Sequence, residues 1–235
     1  MRYESSLTEA ILLRRYKRFL ADVKLSNGNT ITVHTPNTGS MLGCCTPGAR
    51  VWLKESLNPD RKYRYSWELV ETSGGVVTGI NTLLANRLVL EGIKSGAIEE
   101  LQEYPIVRTE VAYGKENSRI DILLESDRKQ ACFVEVKNVT LVDQDTALFP
   151  DAVSKRGSKH LRELEHIVSE GSRGVVLFCI QRNDAKYFSP ADHIDPEYGK
   201  QLRQALSAGV EALAYYAQVT PEEVSLIEAL PVRCP

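Results

Sequence analysis

The chain has 235 residues, 43% hydrophobic and 26% charged, with a formal net charge of −2. That is the make-up of a soluble globular protein of one large or two ordinary domains. No apolar run approaches the roughly 20 residues of a membrane span, and the charge excludes a uniformly basic nucleic-acid binder. The average hides an asymmetry, because residues 1–80 carry eleven Lys+Arg against seven Asp+Glu and the remainder eighteen against twenty-four. A basic first third beside an acidic remainder predicts two domains with different work, 1–80 and 81–235. The start, MRYESSLTEAILLRRYKRF, has early acidic residues and too short an apolar stretch for a signal peptide. The five cysteines show no CxxC spacing for zinc and fit reduced thiols, so a cytoplasmic location is expected.

The first third reads as short strands joined by Gly, Pro and Asn turns. RYKRFLADVKL (15–25) and TITVHT flank Asn27-Gly28, a strong hairpin signal. ARVWLKES and RKYRYSWELVET follow, and the set predicts a small antiparallel barrel or curled sheet. The long loop PNTGSMLGCCTPG between strands is either functional or a connection. Cations and aromatics interleave in RRYKRF and RKYRYSW. On a strand, Tyr63, Tyr65 and Trp67 would face the barrel core while Lys62 and Arg64 face solvent. Arg15, Lys17, Arg61, Lys62 and Arg64 are therefore the candidate contacts to DNA, made to phosphates and without sequence preference.

GINTLLANRLVLEGIKSG predicts a helix capped by Asn81 or Thr82 and ending near Gly96. Three strands (IVRTEVAYG, SRIDILLE, ACFVEVKNVTL) follow, then a helix within VSKRGSKHLRELEHIVSEG and the strand GVVLFCIQ. EYGKQLRQALSAG, VEALAYYAQV and SLIEAL complete the chain as helix, strand and strand. The whole is an α+β protein, a barrel followed by an α/β domain whose core order is α-β-β-β-α-β.

The turn ESDRKQ makes SRIDILLE and ACFVEVKNV a hairpin, which sets Asp121 beside Val134 or Glu135. Glu135 and Lys137 are two apart and share a face of their strand. Two carboxylates meeting a lysine suit a divalent cation, Mg²⁺ or Mn²⁺, which takes oxygen ligands and polarises a phosphodiester. Lys137 would orient water or stabilise developing negative charge. The plainer alternative is a salt bridge on a solvated sheet face. Lys155, Arg156 and Lys159 open the next helix, where N-terminus and cations both favour phosphate. His160 beside them is a candidate base.

Asp121, then Glu135-x-Lys137, in that element order, resembles the PD-(D/E)xK nuclease core. The resemblance implies Asp121 and Glu135 as metal ligands, Lys137 as the catalytic lysine, and a further acid from the preceding helix, for which Glu91 is the candidate. Ile120 stands where that core often has proline. More broadly, HTPNTGSM, NPDRKYRYSWELVE, ANRLV, SRIDILL, VEVKNVTL, FPDAVSKRGSKHLREL and PADHIDPEYG resemble the bacterial and archaeal sugar fermentation stimulation protein A family. This implies an N-terminal OB-type barrel joined to a restriction-endonuclease-like domain, DNA binding without strong sequence preference, and a regulatory role in maltose metabolism. Three functions follow as expectations: a Mg²⁺-dependent deoxyribonuclease, a non-catalytic DNA-binding regulator, or a protein-interaction scaffold.

Overall fold

The computed structural model describes residues 1–115 and 118–235. The first domain is built from β1 (Thr8–Tyr16), β2 (Leu20–Leu25), β3 (Thr30–His34), β4 (Arg50–Glu55), β5 (Tyr65–Glu71) and β6 (Val77–Gly79). β1 pairs with both β2 and β4, and β5 with β4, all antiparallel. The parallel pairing of His34 with Ser66 joins β3 to β5 and closes a five-stranded barrel in the order β1-β2-β3-β5-β4. This is the OB arrangement. Leu12, Val23, Val33, Leu53 and Trp67 fill the interior and are wholly buried. Each such side chain contributes about 1.5–3 kcal/mol relative to an exposed one.

Two local readings of the sequence are corrected here. RYKRFLADVKL is not one strand, because Lys17 and Arg18 turn the chain between β1 and β2 with φ of 50° and 63°. Left-handed backbone at two residues with side chains is uncommon, and it marks a turn whose sequence advertises none. Residues 61–64 form a loop ahead of β5, so Lys62 and Arg64 are presented by that loop and not by the strand. Trp67 does face the core, and Tyr65 packs against it half-buried.

The second domain continues with α1 (Thr82–Ser95), β7 (Ile106–Tyr113), β8 (Ser118–Ser126), β9 (Lys129–Val139), β10 (Leu141–Asp143), β11 (Thr146–Phe149) and α2 (Lys155–Ser169). It ends with β12 (Arg173–Ile180), β13 (Tyr187–Pro190), α3 (Pro196–Ser207), β14 (Glu211–Val219) and β15 (Val224–Ala229). Six strands form a mixed sheet in the order β15-β14-β12-β9-β8-β7, with β9, β12 and β14 parallel. α1 covers one face through Leu84, Leu88, Val89 and Ile93. α2 and α3 cover the other through Leu161, Leu164, Tyr198 and Leu202. Covered on both faces, β12 is apolar throughout, with Val175, Leu177 and Cys179 on the α1 side and Val176, Phe178 and Ile180 on the other. The small sheet β10-β11-β13 was not foreseen from sequence.

The domains are joined by more than the chain between them. Trp52 and Leu69 of the barrel pack in the α1-side core. Met1 and Tyr3 hydrogen-bond to the backbone of Val224 and Glu222, so the first residues belong to the far edge of the second domain's sheet. Among the described residues no helix is long and apolar enough to cross a membrane.

Candidate functional site

In β9, Cys132, Val134 and Val136 point to the α1-side core. Strand alternation therefore turns Glu135 and Lys137 to the face of α2. Lys137 Nζ donates to Glu135 Oε1 at 2.7 Å, and the two residues are 9% and 3% exposed. The pair is thus not the solvated salt bridge of the plainer reading.

The hairpin pairing of β8 and β9 runs as Leu124↔Cys132 and Ile122↔Val134. One step further lies Asp121, opposite Glu135. Here the ladder gives way: Asp121 Oδ2, in place of a backbone carbonyl, accepts the Val136 N–H at 2.7 Å. Asn86 of α1 donates to Asp121 Oδ1 at 2.8 Å. Each oxygen of this carboxylate accepts one bond and keeps a second lone pair.

His160, in the second turn of α2, is 5% exposed, and its Nδ1 is in close contact with Glu135 Oε1. Arg156 Nε donates to His160 Nε2 at 3.3 Å. A nitrogen that accepts from a guanidinium has no proton to give, which leaves Nδ1 as the nitrogen that donates to Glu135. Ser154 caps α2 by accepting from the Gly157 N–H at 3.1 Å, which fixes where Arg156 and His160 fall.

The electrostatics divide the two carboxylates. Burial pushes the Asp121 carboxyl up to about 6, with the neighbouring charge of Glu135 adding to it. Burial acts on Glu135 in the same sense, but Lys137 and His160 outweigh it and hold that carboxyl below its ordinary value. Glu135 Oε1 has two partners, whereas Oε2 is buried with no hydrogen-bond partner. An unmatched anionic oxygen is costly in the interior. Carboxylate oxygens are the donors a hard divalent cation takes, so this oxygen and the open lone pairs of Asp121 fit such an ion by type. Among the described residues no cluster of three or more His, Cys, Asp or Glu groups is placed for a metal.

Glu91 is not brought to this site. It pairs with the N-terminal ammonium at 3.1 Å, and its side chain is 54% exposed. It lies five residues beyond Asn86, about 140° further round the helix, so the α1 side chain that reaches Asp121 is Asn86. Neither Asn86 nor the His160–Glu135 contact was identified from sequence.

The basic candidates fall in three places. Lys17 is exposed at the β1–β2 turn, but the Arg15 guanidinium is directed inward. It donates to the carbonyls of Asn37 and Gly39, both at 2.9 Å, and so shapes the loop 37–41. Arg61, Lys62 and Arg64 are exposed on the loop before β5, where Lys62 lies over the Tyr63 ring and Arg64 pairs with Glu55. Lys155 and Arg156 are exposed and Lys159 half-buried in the first turns of α2. Arg18 and Arg156 line opposite sides of a 620 Å³ cleft between the domains, with Lys137 and Asn86 on its wall.

Family models match almost the whole chain, the SfsA N-terminal OB domain over residues 13–78 and the sugar fermentation stimulation protein RE domain over residues 83–223. The sugar fermentation stimulation protein homolog of Geobacter metallireducens is 57% identical over 232 residues, 99% of each chain. That of Pelobacter propionicus is 60% identical over 226 residues, 96% of this chain and 97% of its own. Among solved structures, Pyrococcus furiosus SfsA in complex with Ca²⁺ superposes with a TM-score of 0.90 at 28% identity, over 99% of this chain and 98% of that one.

Proposed function

The chain belongs to the sugar fermentation stimulation protein family, and on that premise we propose a DNA-binding protein that hydrolyses phosphodiesters with a divalent cation, Mg²⁺ or Mn²⁺. Asp121 and Glu135 would hold the ion. The observation that carries this reading is the buried, unpartnered Oε2 of Glu135 beside a second, half-buried carboxylate whose pKa is raised. The related Pyrococcus furiosus SfsA forms a complex with Ca²⁺, which supports a hard dication here. When bound, the ion would polarise the phosphodiester and lower the pKa of an attacking water.

The remaining work falls to the chain's own groups. Lys137, held at 2.7 Å from Glu135, stands ready to stabilise charge developing on the phosphate. His160 and Asn86 orient the two carboxylates. Lys17, Arg61, Lys62, Arg64, Lys155, Arg156 and Lys159 bind the DNA backbone without reading bases, and loss of one such contact lowers the salt dependence of binding by about one counterion.

A second reading is a non-catalytic DNA-binding regulator of sugar (maltose) metabolism. The absence of a three-ligand cluster among the described residues favours it, as does Lys137, which already compensates Glu135. A cleavage assay on single-stranded, duplex and branched DNA with Mg²⁺ or Mn²⁺ separates the two. The nuclease reading expects cutting that falls on the order of 100-fold or more in Lys137→Ala. Binding without cutting on every substrate selects the regulator.

A further inference from the structure

The interdomain cleft bounds the form of DNA that can reach Lys137 on its wall. On the barrel side the loop 37–41 is held from behind by Arg15. Across the cleft, the single Ser40 hydroxyl proton is shared between the Asp151 carbonyl at 2.6 Å and Asp151 Oδ2 at 2.9 Å, and the Met41 N–H donates to the same Oδ2 at 2.8 Å. Gly39 sits so close that a Cβ there would lie 3.3 Å from both Asp151 carboxylate oxygens. A second pin lies behind, where the Gly79 N–H donates to the Gln181 carbonyl at 2.9 Å and a Cβ on Gly79 would fall 2.3 Å from the Gln181 side chain. With Trp52 and Leu69 packed into the second domain's core, these pins fix the cleft's width.

The space so fixed is 620 Å³. That is the size that buries one drug-sized group, such as a nucleotide with its phosphate. It does not house both strands of a helix whose major groove alone is about 12 Å wide. Its lining also has two characters. Leu148, Phe149 and Pro150 form an apolar wall, while Arg18, Lys137 and Arg156 supply cations from both domains. An apolar surface for a base beside cations for its phosphate is the chemistry that holds an unpaired strand.

We infer that the cleft seats a single DNA strand and that the Ser40–Met41–Asp151 latch keeps duplex out. The inference rests on the nucleic-acid reading above. It is tested by binding a 12-nucleotide single strand and the matching blunt duplex to the full chain in EDTA, so that cutting plays no part. The expected result is at least tenfold tighter binding of the single strand. In addition, a photoreactive 4-thiothymidine in that strand should crosslink to the wild-type peptide containing Phe149. Asp151→Asn, which weakens the latch, should cut the single-strand preference severalfold. Equal affinity for strand and duplex, or crosslinks confined to the outer barrel, overturns the inference and leaves DNA binding standing. Binding of neither form overturns both.

Discussion

Two glutamates lie at the same depth in the two domains and are used in opposite ways. Glu68 of the barrel is 2% exposed, and Glu135 of the second domain is 3% exposed. Glu68 accepts from the Asn81 side-chain amide at 2.8 Å, and burial raises its pKa, with Lys54, Arg61 and Arg87 only partly offsetting that. Glu135 touches an ammonium and an imidazole, and its pKa is lowered. Burial is common to both, so burial does not decide whether an acid stays charged; the groups in contact do. Glu68 joins the barrel to the residue that caps α1. Glu135 keeps its charge and one buried, unpartnered oxygen beside Lys137, which lines the interdomain cleft.

The largest test of this contrast removes the ammonium. Lys137→Met keeps the stem and leaves Glu135 buried with His160 alone, and a buried charge stripped of a partner costs about 3 kcal/mol. The sign follows from the lowered pKa. The pair's stabilisation is present above the ordinary carboxyl value of 4.5 and is lost as pH falls below it. Urea unfolding in EDTA should therefore show the deficit at about pH 7 and a smaller one at about pH 4. A variant as stable as wild type at neutral pH would make the two glutamates equivalent.

Next in size is Asp121→Asn. A carboxyl that ionises near 6 in the fold and near 3.8 unfolded is stabilising below 3.8, and that contribution is lost as pH rises through 6. At about pH 8 the ionised group costs the metal-free protein about 3 kcal/mol. The amide avoids this cost and can still accept from Val136. The variant is expected to unfold later than wild type at about pH 8 and at the same point near pH 4, while losing divalent-ion affinity. A variant no more stable at about pH 8 would show that Asp121 is not under the strain assigned to it.

What could be read from the sequence was local. Asn27-Gly28 announces the β2–β3 hairpin, and Asn81 and Gly96 bound α1 as caps. The two-residue period of a strand suffices to put Glu135 and Lys137 on one face, and the ESDRKQ turn suffices to make β8 and β9 a hairpin whose paired register reaches Ile122↔Val134, one step short of Asp121. What failed depended on distant packing or on residues that give no local signal. Lys17-Arg18 takes a left-handed turn without the glycine or asparagine that usually marks one. Glu91 turns away from Asp121 while Asn86 meets it, a matter of helix phase that is decided only when α1 docks on β8. His160 meets Glu135 because α2 returns over β9, and no spacing within either segment encodes that approach. β11 pairs with a strand some forty residues later, and both are too short to show alternation.

The smallest effect belongs to the other half of the comparison. Glu68→Gln replaces a carboxyl that burial already drives toward its neutral form with an amide of the same shape. Its carbonyl oxygen can still accept from Asn81, so the change stays within about 1 kcal/mol, the scale of one hydrogen bond. The direction is fixed by the raised pKa. Below the ordinary value of 4.5 the two proteins should be equally stable, and the glutamine variant should gain on wild type as pH rises through the folded value. DNA cleavage and ion binding should not change, since Glu68 contacts neither Asp121 nor the cleft wall. If Glu68→Gln instead destabilised the protein at neutral pH, the charge on Glu68 would be paired in the fold after all. Lys54, Arg61 and Arg87 would then serve the barrel's acid as Lys137 serves Glu135, and the contrast between the domains would narrow to the orphan oxygen alone.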